Sequence, residues 1–228
     1  RVDGLLVSIS RETSDLAHLQ KVVDDGIPMV FFDRLVEGMN ATSVIVDDYQ
    51  GAYDAVEHLI DQDCRNIVHL AGPENLIISR KRKEGFVSAL EDHQIPLDES
   101  YIIECRNGTV DEAEKALDKL LSTGKKIDGV FASNDIAALG ALKATRNAGI
   151  QVPEEIAIVG YSNWQFSSLI QPPLSSVSQP GYEMGKEAAK LIFQEIDKDD
   201  LSKREVRILD TELIIRASST KKVHTETP

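Results

Sequence analysis

The chain has 228 residues, 42% of them hydrophobic and 28% charged, a balance that is ordinary for a soluble globular protein. Its formal net charge of −13 argues against direct binding of nucleic acid, because phosphate backbones are bound through Lys and Arg. No stretch has the length and apolarity of a membrane span or the order of a signal peptide, and the two cysteines lack zinc-site spacing. We therefore expect a cytoplasmic protein with reduced thiols and with no metal or cofactor.

Short apolar runs alternate with amphipathic stretches along the whole chain. The apolar runs predict strands at 4–9, 29–32, 43–46, 66–70, 101–103, 128–132, 156–160, 175–177 and 209–215. Helical spacing predicts helices at 16–23, 52–60, 80–92, 136–148 and 183–196, and Thr109 with Glu112 has capping-box spacing for a further helix. This alternation predicts an α/β fold whose parallel sheets are covered on both faces, and such sheets bind ligands at the carboxyl ends of their strands.

The catalytic motifs give little support to an enzyme. The run from Gly160 to Trp164 resembles the G-x-S-x-G turn that presents a nucleophilic serine, but Trp164 replaces the closing glycine that the sharp turn needs. No plausible triad histidine follows, since His224 lies in the predicted tail, and no phosphate-binding glycine loop is present. We therefore predict that the protein is not an enzyme.

Polar residues that follow strands or begin helices form the candidate ligand site. Together they offer a planar guanidinium, amides that donate and accept, carboxylates and an aromatic face, a mixture that suits a neutral polyhydroxylated ligand such as a sugar. Taken singly, each has a simpler explanation: Asn134 or Asp135 is a helix N-cap, and the basic run 80–83 is a solvated helix face. The predicted ligand-binding residues are Ser8, Asp33, Arg82, Asn134, Asp135, Ser162, Trp164 and Gln179.

Several segments resemble the LacI/GalR family of bacterial transcription regulators over nearly the whole chain. The most specific are GVFASNDIAALGALKATRNAGIQVPEEIAIVGYSN at 129–163 and PPLSSVSQPGYEMGKEAA at 172–189, and further matches lie at 1–8, 27–34, 44–60, 65–73 and 80–90. The resemblance implies a two-lobed periplasmic-binding-protein-like fold. It also implies that the first lobe is incomplete here and that the family's helix-turn-helix, which binds operator DNA, lies outside these residues.

The resemblance also assigns roles to individual positions. Arg82 matches the arginine that reaches the effector from the second lobe, and Asn134, with Asp135, matches the polar pair that lines the cleft between the lobes. Asp33 matches an acidic residue of the first lobe that faces this cleft, and Gln179 matches a crossing between the lobes. Ser162 departs from the family, which usually has Asp there, so Asn163 or Trp164 is expected to replace that contact.

By the family's division, the N-terminal lobe comprises 1–48 and 180–203, the C-terminal lobe 49–179 and 204–217, and a tail 218–228. The resemblance predicts a homodimer in which effector binding changes the lobe orientation and thereby controls DNA binding. The alternative is an extracytoplasmic sugar-binding protein of a transporter, which an upstream signal peptide would favour over an upstream helix-turn-helix.

Overall fold

The computed structural model describes residues 2–10, 12–13, 15–197 and 204–221. Its strands are β1 (Leu5–Val7), β2 (Met29–Phe32), β3 (Thr42–Val46), β4 (Ile67–Ala71), β5 (Ile102–Glu104), β6 (Gly129–Ala132), β7 (Ala157–Ser162), β8 (Ser175–Ser178), β9 (Val206–Leu209) and β10 (Glu212–Ile214). Its α-helices are α1 (Ala17–Asp24), α2 (Asp48–Asp61), α3 (Ile77–Asp92), α4 (Val110–Leu121), α5 (Asp135–Asn147) and α6 (Gly181–Ile196). Two short 3-10 helices cover Glu99–Tyr101 and Gln165–Ser168.

The chain divides into two compact units, the first formed by 1–47 and 180–210 and the second by 48–179 and 211–228. The first unit holds a parallel sheet in the order β1-β2-β3-β9. Successive side chains of a strand point to opposite faces, so Val30 packs under α6 with Leu191, whereas Phe31 packs on the other face beside Val22 of α1. Among the described residues β1 pairs only with β2, and its Leu6 is 44% exposed.

The second unit holds a six-stranded sheet in the order β10-β8-β7-β6-β4-β5. Helices α2 and α3 cover one face with a core that includes Phe86 and Phe131, and α4 and α5 cover the other with a core that includes Leu117 and Ile158. The predicted α/β architecture is confirmed, although the β10–β8 pair at one edge is antiparallel. Strands β6, β7 and β8 are parallel neighbours, so their carboxyl ends lie side by side.

Helix α4 begins at the predicted cap. Thr109 Oγ1 accepts the backbone N–H of Glu112 at 3.2 Å, as the capping-box spacing indicated. The reciprocal bond differs, because the Glu112 carboxylate accepts the backbone N–H groups of Asn107 and Gly108 at 2.8 and 3.0 Å. The acidic side chain therefore holds the loop that precedes the helix.

The carboxy-terminal part of the chain corrects three predictions. The single strand predicted at 209–215 is two strands, because the chain passes from the first unit to the second after Asp210. The predicted lobe boundary at 203/204 is wrong for the same reason, since β9 pairs with β3 and so belongs to the first unit. The predicted tail at 218–228 begins too early, because Ser218 and Ser219 are fully buried, while 222–228 lie outside the described residues.

Candidate functional site

The carboxyl edge of the six-stranded sheet brings together most of the predicted ligand-binding residues. Asn134 and Asp135 follow β6, Ser162 ends β7 and is followed by Trp164, and Gln179 follows β8. Arg82 joins them from α3, since its Nη1 donates to the backbone carbonyl oxygen of Ser133 at the end of β6. Ser8 and Asp33 belong to the first unit, where each follows a strand.

Arg82 is bound inside the second unit rather than presented on a solvated basic face. It is only 5% exposed, and its Nε and Nη2 lie 2.8 and 2.7 Å from Oδ1 of Asp48. Its guanidinium carbon lies 3.6 Å from the ring centroid of Tyr161, a stacking distance for a cation on an aromatic face. The simpler explanation of the run 80–83 as a solvated helix face is therefore wrong for Arg82, and sequence reasoning missed its partner Asp48.

Asn134 and Asp135 have two distinct structural roles at the start of α5. Asn134 is the N-cap, with Oδ1 accepting the backbone N–H of Ala137 at 2.9 Å, as one of the pair was predicted to do. Asp135 is 1% exposed and accepts the Trp164 backbone N–H at 2.8 Å and the hydroxyls of Ser167 and Ser176 at 2.6 Å each. Burial raises the pKa of Asp135, and these hydrogen bonds oppose the rise.

Gly160 leaves room for the Asp135 carboxylate against β7. A Cβ atom at position 160 would lie 2.4 Å from Asp135 Oδ1, closer than real side chains approach. The glycine of the Val-Gly-Tyr-Ser run therefore permits the buried carboxylate to reach Ser176 on β8. The sequence shows this glycine, but the same Gly-Tyr-Ser run also fits the nucleophile-turn motif. It therefore did not predict the hydrogen-bond network of Asp135.

The turn after β7 has a strained backbone. Ser162 and Asn163 have positive φ values of 101° and 48°, which side-chain-bearing residues adopt rarely. The Asn163 side chain is anchored, since Oδ1 accepts from Arg216 Nη2 at 2.8 Å and Nδ2 donates to Ser178 Oγ at 3.3 Å. Asn163 therefore holds the turn in place, and this anchoring sets where the neighbouring Trp164 stands.

Trp164 and Gln179 are accessible members of the edge. Trp164 is 53% exposed, and its ring meets Phe166 edge-on with centroids 5.6 Å apart. Gln179 is half-buried and is the last residue of the second unit before the chain enters α6. Ser162 is also partly exposed. These three residues can contact a ligand without first breaking a hydrogen bond of the core.

In the first unit, Ser8 is exposed after β1, and Asp33 stands after β2 with a positive φ of 70°. An Asp33 carboxylate oxygen lies 3.8 Å from Arg34 Nε. The Arg34 side chain is anchored in turn, because its Nη1 donates to the carbonyl oxygen of Ile9 at 2.9 Å. Both residues are placed as predicted relative to their strands. Their contact with a ligand remains a prediction.

A cavity of about 180 Å³ opens beside the first half of α3, apart from the predicted residues. Several of its charged groups are paired within the protein: Lys83 Nζ lies 3.4 Å from Glu74 Oε1, and Glu104 accepts from Arg106 Nε at 3.0 Å. The lining residues are Ala71, Gly72, Glu74, Ser79, Arg80, Lys83, Glu99, Ile102 and Glu104. None of the eight predicted ligand-binding residues lines this cavity, so it does not extend the candidate site.

Neither a metal centre nor a membrane segment is found in the part of the chain that the structure describes. Within 2–10, 12–13, 15–197 and 204–221, no three His, Cys, Asp or Glu side chains gather where they could hold a metal ion. No helix in these ranges has the length and apolarity needed to cross a bilayer.

The chain is similar to repressors and regulators of known sequence and structure. The periplasmic binding protein-like domain matches residues 56–219. The ribose operon repressor of Halalkalibacterium halodurans is 32% identical over 96% of this chain, which spans 62% of that repressor's length.

Two solved structures share the fold over almost the whole chain. A transcriptional regulator CelR–cellobiose complex superposes with a TM-score of 0.86 at 31% identity, over 95% of this chain and 66% of its own. A LacI-family regulator from Enterococcus faecium with bound ribose has a TM-score of 0.82 at 29% identity, over 97% of this chain and 81% of its own. The chain therefore belongs to the periplasmic binding protein-like domain family, within its LacI/GalR group of transcriptional regulators.

Proposed function

We propose that this chain is the effector sensor of a transcriptional repressor and binds a neutral sugar at the carboxyl edge of its six-stranded sheet. The observation that carries the proposal is the row of polar and aromatic groups after three adjacent parallel strands. Asn134, Trp164 and Gln179 follow β6, β7 and β8, which is where open parallel sheets bind their ligands. Amides and an indole face suit hydroxyl groups and the apolar faces of a sugar ring.

The contributions of the other predicted residues differ in kind. Ser162 supplies a hydroxyl where the resemblance to the LacI/GalR family implies a carboxylate, so its contact with the sugar is a weaker, neutral hydrogen bond. Arg82 and Asp135 act indirectly. Both are buried and bound to protein groups, so they hold the residues of the edge in position. Ser8 and Asp33, which follow strands of the first unit, stay predicted ligand residues of that unit. The bound sugars of CelR and of the Enterococcus faecium regulator support this ligand class.

The intact protein, in this proposal, is a cytoplasmic homodimer and not an enzyme. Sugar binding shifts the equilibrium between two conformations and so controls operator binding by a helix-turn-helix that lies outside these 228 residues. The chain alone, with a net charge of −13, should show no sequence-specific retardation of DNA in a gel-shift assay at physiological salt. A transporter's sugar-binding protein is the second candidate, and the coding sequence upstream of Arg1 separates the two.

The test uses Trp164, the single tryptophan of the chain, as an intrinsic probe. It is 53% exposed at the proposed site, so a bound sugar should change its emission saturably. D-ribose and cellobiose are titrated first, and each apparent Kd is checked by calorimetry. Gln179→Ala should weaken binding about tenfold, the effect of losing one well-placed hydrogen bond.

Tyr182→Ala is the matched control, because Tyr182 is exposed on α6 and lies outside the proposed edge. It should leave the sugar affinity unchanged. Absence of saturable binding of both sugars, by fluorescence and by calorimetry, would count against the sugar class. Equal affinities of Gln179→Ala and the unsubstituted protein would show that the edge after β8 does not contact the ligand.

A further inference from the structure

The ion pair between Arg82 and Asp48 is buried in the second unit. Both side chains are 6% exposed, and the two nitrogens of Arg82 that face Asp48 lie 2.7 and 2.8 Å from one carboxylate oxygen. The third nitrogen, Nη1, donates to the Ser133 carbonyl, one residue before the N-cap of α5. The positive charge therefore lies directly beneath the proposed ligand edge.

The position of Asp48 in the fold stabilises its negative charge. It is the first residue of α2, where the exposed N–H groups of a helix stabilise a negative charge. The other buried carboxylate at this edge, Asp135, is bound to two serine hydroxyls and a backbone N–H. Arg82 is the single cation among the eight predicted ligand-binding residues, and Asp48 balances it.

We infer that Asp48 determines the charge class of the ligand, because it neutralises Arg82 and so excludes phosphorylated and other anionic sugars in favour of uncharged ones. This inference rests on the proposed function. A buried guanidinium without a counter-charge attracts an anion strongly, since the field of a desolvated charge is screened far less than in water. With Asp48 in place the pair is neutral, and an anion at the edge would meet the carboxylates of Asp48 and Asp135 instead.

The test compares Asp48→Asn with Asp54→Asn, using inorganic phosphate as the probe. The asparagine at position 48 keeps the shape and an oxygen acceptor for Arg82 but removes the negative charge. Asp54 is on the same helix and accepts from Gln50 Nε2 at 2.7 Å on the exposed face, so its substitution changes the net charge equally and leaves the pair of Arg82 and Asp48 in place. Phosphate affinity is measured by calorimetry, and the thermal midpoint is recorded in phosphate and in chloride at matched ionic strength.

Asp48→Asn should bind phosphate at least about tenfold more tightly than Asp54→Asn or the unsubstituted protein, and phosphate should raise its thermal midpoint selectively. Adding Arg82→Gln to Asp48→Asn should abolish this gain. Equal phosphate affinity in Asp48→Asn and Asp54→Asn would overturn the inference, as would tight phosphate binding by the unsubstituted protein. An Asp48→Asn protein that stays unfolded in both salts would overturn it too, by showing that Asp48 serves folding alone.

The sugar titrations described above are a separate measurement. If no neutral sugar binds, the proposed effector class fails, while the phosphate comparison still decides what Asp48 does. If D-ribose binds and D-ribose 5-phosphate binds more tightly to the unsubstituted protein, the proposed sensor stands and the role given to Asp48 is wrong.

Discussion

Arg82 and Asp48 bind each other across 34 positions of the sequence, and Asp48 is the residue at which the chain first enters the second unit. The pair therefore ties α3 to the start of α2 as well as placing a charge beneath the carboxyl edge of the sheet. Tyr161, fully buried in β7, completes the cluster with its ring under the guanidinium. The side chains that we propose to set the charge class of the ligand therefore also contribute to stability.

Arg82→Ala should lower the free energy of unfolding by about 3–5 kcal/mol, because it leaves the buried Asp48 carboxylate without its counter-charge. Chemical denaturation followed by circular dichroism measures the change. Lys81→Ala is the control on the neighbouring position: its ammonium pairs with Glu84 at 2.6 Å on the exposed face, and the loss should be within about 0.5 kcal/mol. Similar losses for the two variants would show that the Arg82–Asp48 pair is not formed in solution.

Asp135→Ala should destabilise the protein by about 3 kcal/mol. The substitution removes the acceptor for the Trp164 N–H and for the hydroxyls of Ser167 and Ser176, and buried donors without partners are costly. Thermal and denaturant unfolding give the magnitude, with Asp118→Ala on the exposed side of α4 as a control expected to change little. Because the turn at Trp164 depends on Asp135, the variant should also alter tryptophan emission in the absence of ligand.

The fold was largely predictable because its buried strands are continuous apolar runs. All residues of β4 are buried, and a run such as Ile67–Ala71 between two amphipathic stretches permits few other interpretations. The two-strand ending was missed because β9 and β10 are separated by only Asp210 and Thr211, so the apolar pattern is almost continuous. Nothing in that pattern indicates that the chain changes sheets there.

The candidate site was predictable in position but not in detail. The predicted strand ends located Asn134, Trp164 and Gln179, because residues that follow parallel strands lie at the same edge of a sheet. The burial of Arg82 could have been inferred, because it shares a helical face with Phe86 and lies three and four residues from buried neighbours. Its partner could not be inferred, because Asp48 is 34 positions away and its sequence context indicates only an acidic residue at the start of a helix.

His69 should make the protein less stable as the pH falls from about 6.5 to 4. It is fully buried between Phe86 and Phe131, and burial lowers its pKa from 6.5 to about 4. Between these values the unfolded chain takes up a proton that the folded protein does not, so lowering the pH favours unfolding, by about 3 kcal/mol when complete. Above pH 6.5 both states carry a neutral ring and the effect is absent.

The measurement is the difference in unfolding free energy between pH 7 and pH 4.5, for the unsubstituted protein and for His69→Phe. Phenylalanine keeps the stack of rings but cannot be protonated, so the acid loss should shrink by about 2–3 kcal/mol. His18→Gln, which alters an exposed imidazole on α1, should retain the full loss. If His69→Phe loses as much unfolding free energy between pH 7 and pH 4.5 as the unsubstituted protein, groups other than His69 cause the loss.

Two helical glycines should respond to alanine with opposite signs. At Gly85 of α3 an added Cβ would lie 2.3 Å from the Tyr49 carbonyl oxygen and 3.0 Å from the Ala52 Cβ, so α2 would be pushed away at a cost of about 1–3 kcal/mol. At Gly185 of α6 nothing lies within 4 Å of the added atom, and alanine should stabilise the helix by about 0.5–1 kcal/mol. Denaturant unfolding of the two variants gives the comparison directly, because the chemical change is identical. If Gly85→Ala were as stable as Gly185→Ala, α2 and α3 would not approach as closely in solution as the structure shows, and the framework that holds Asp48 against Arg82 would be looser than described.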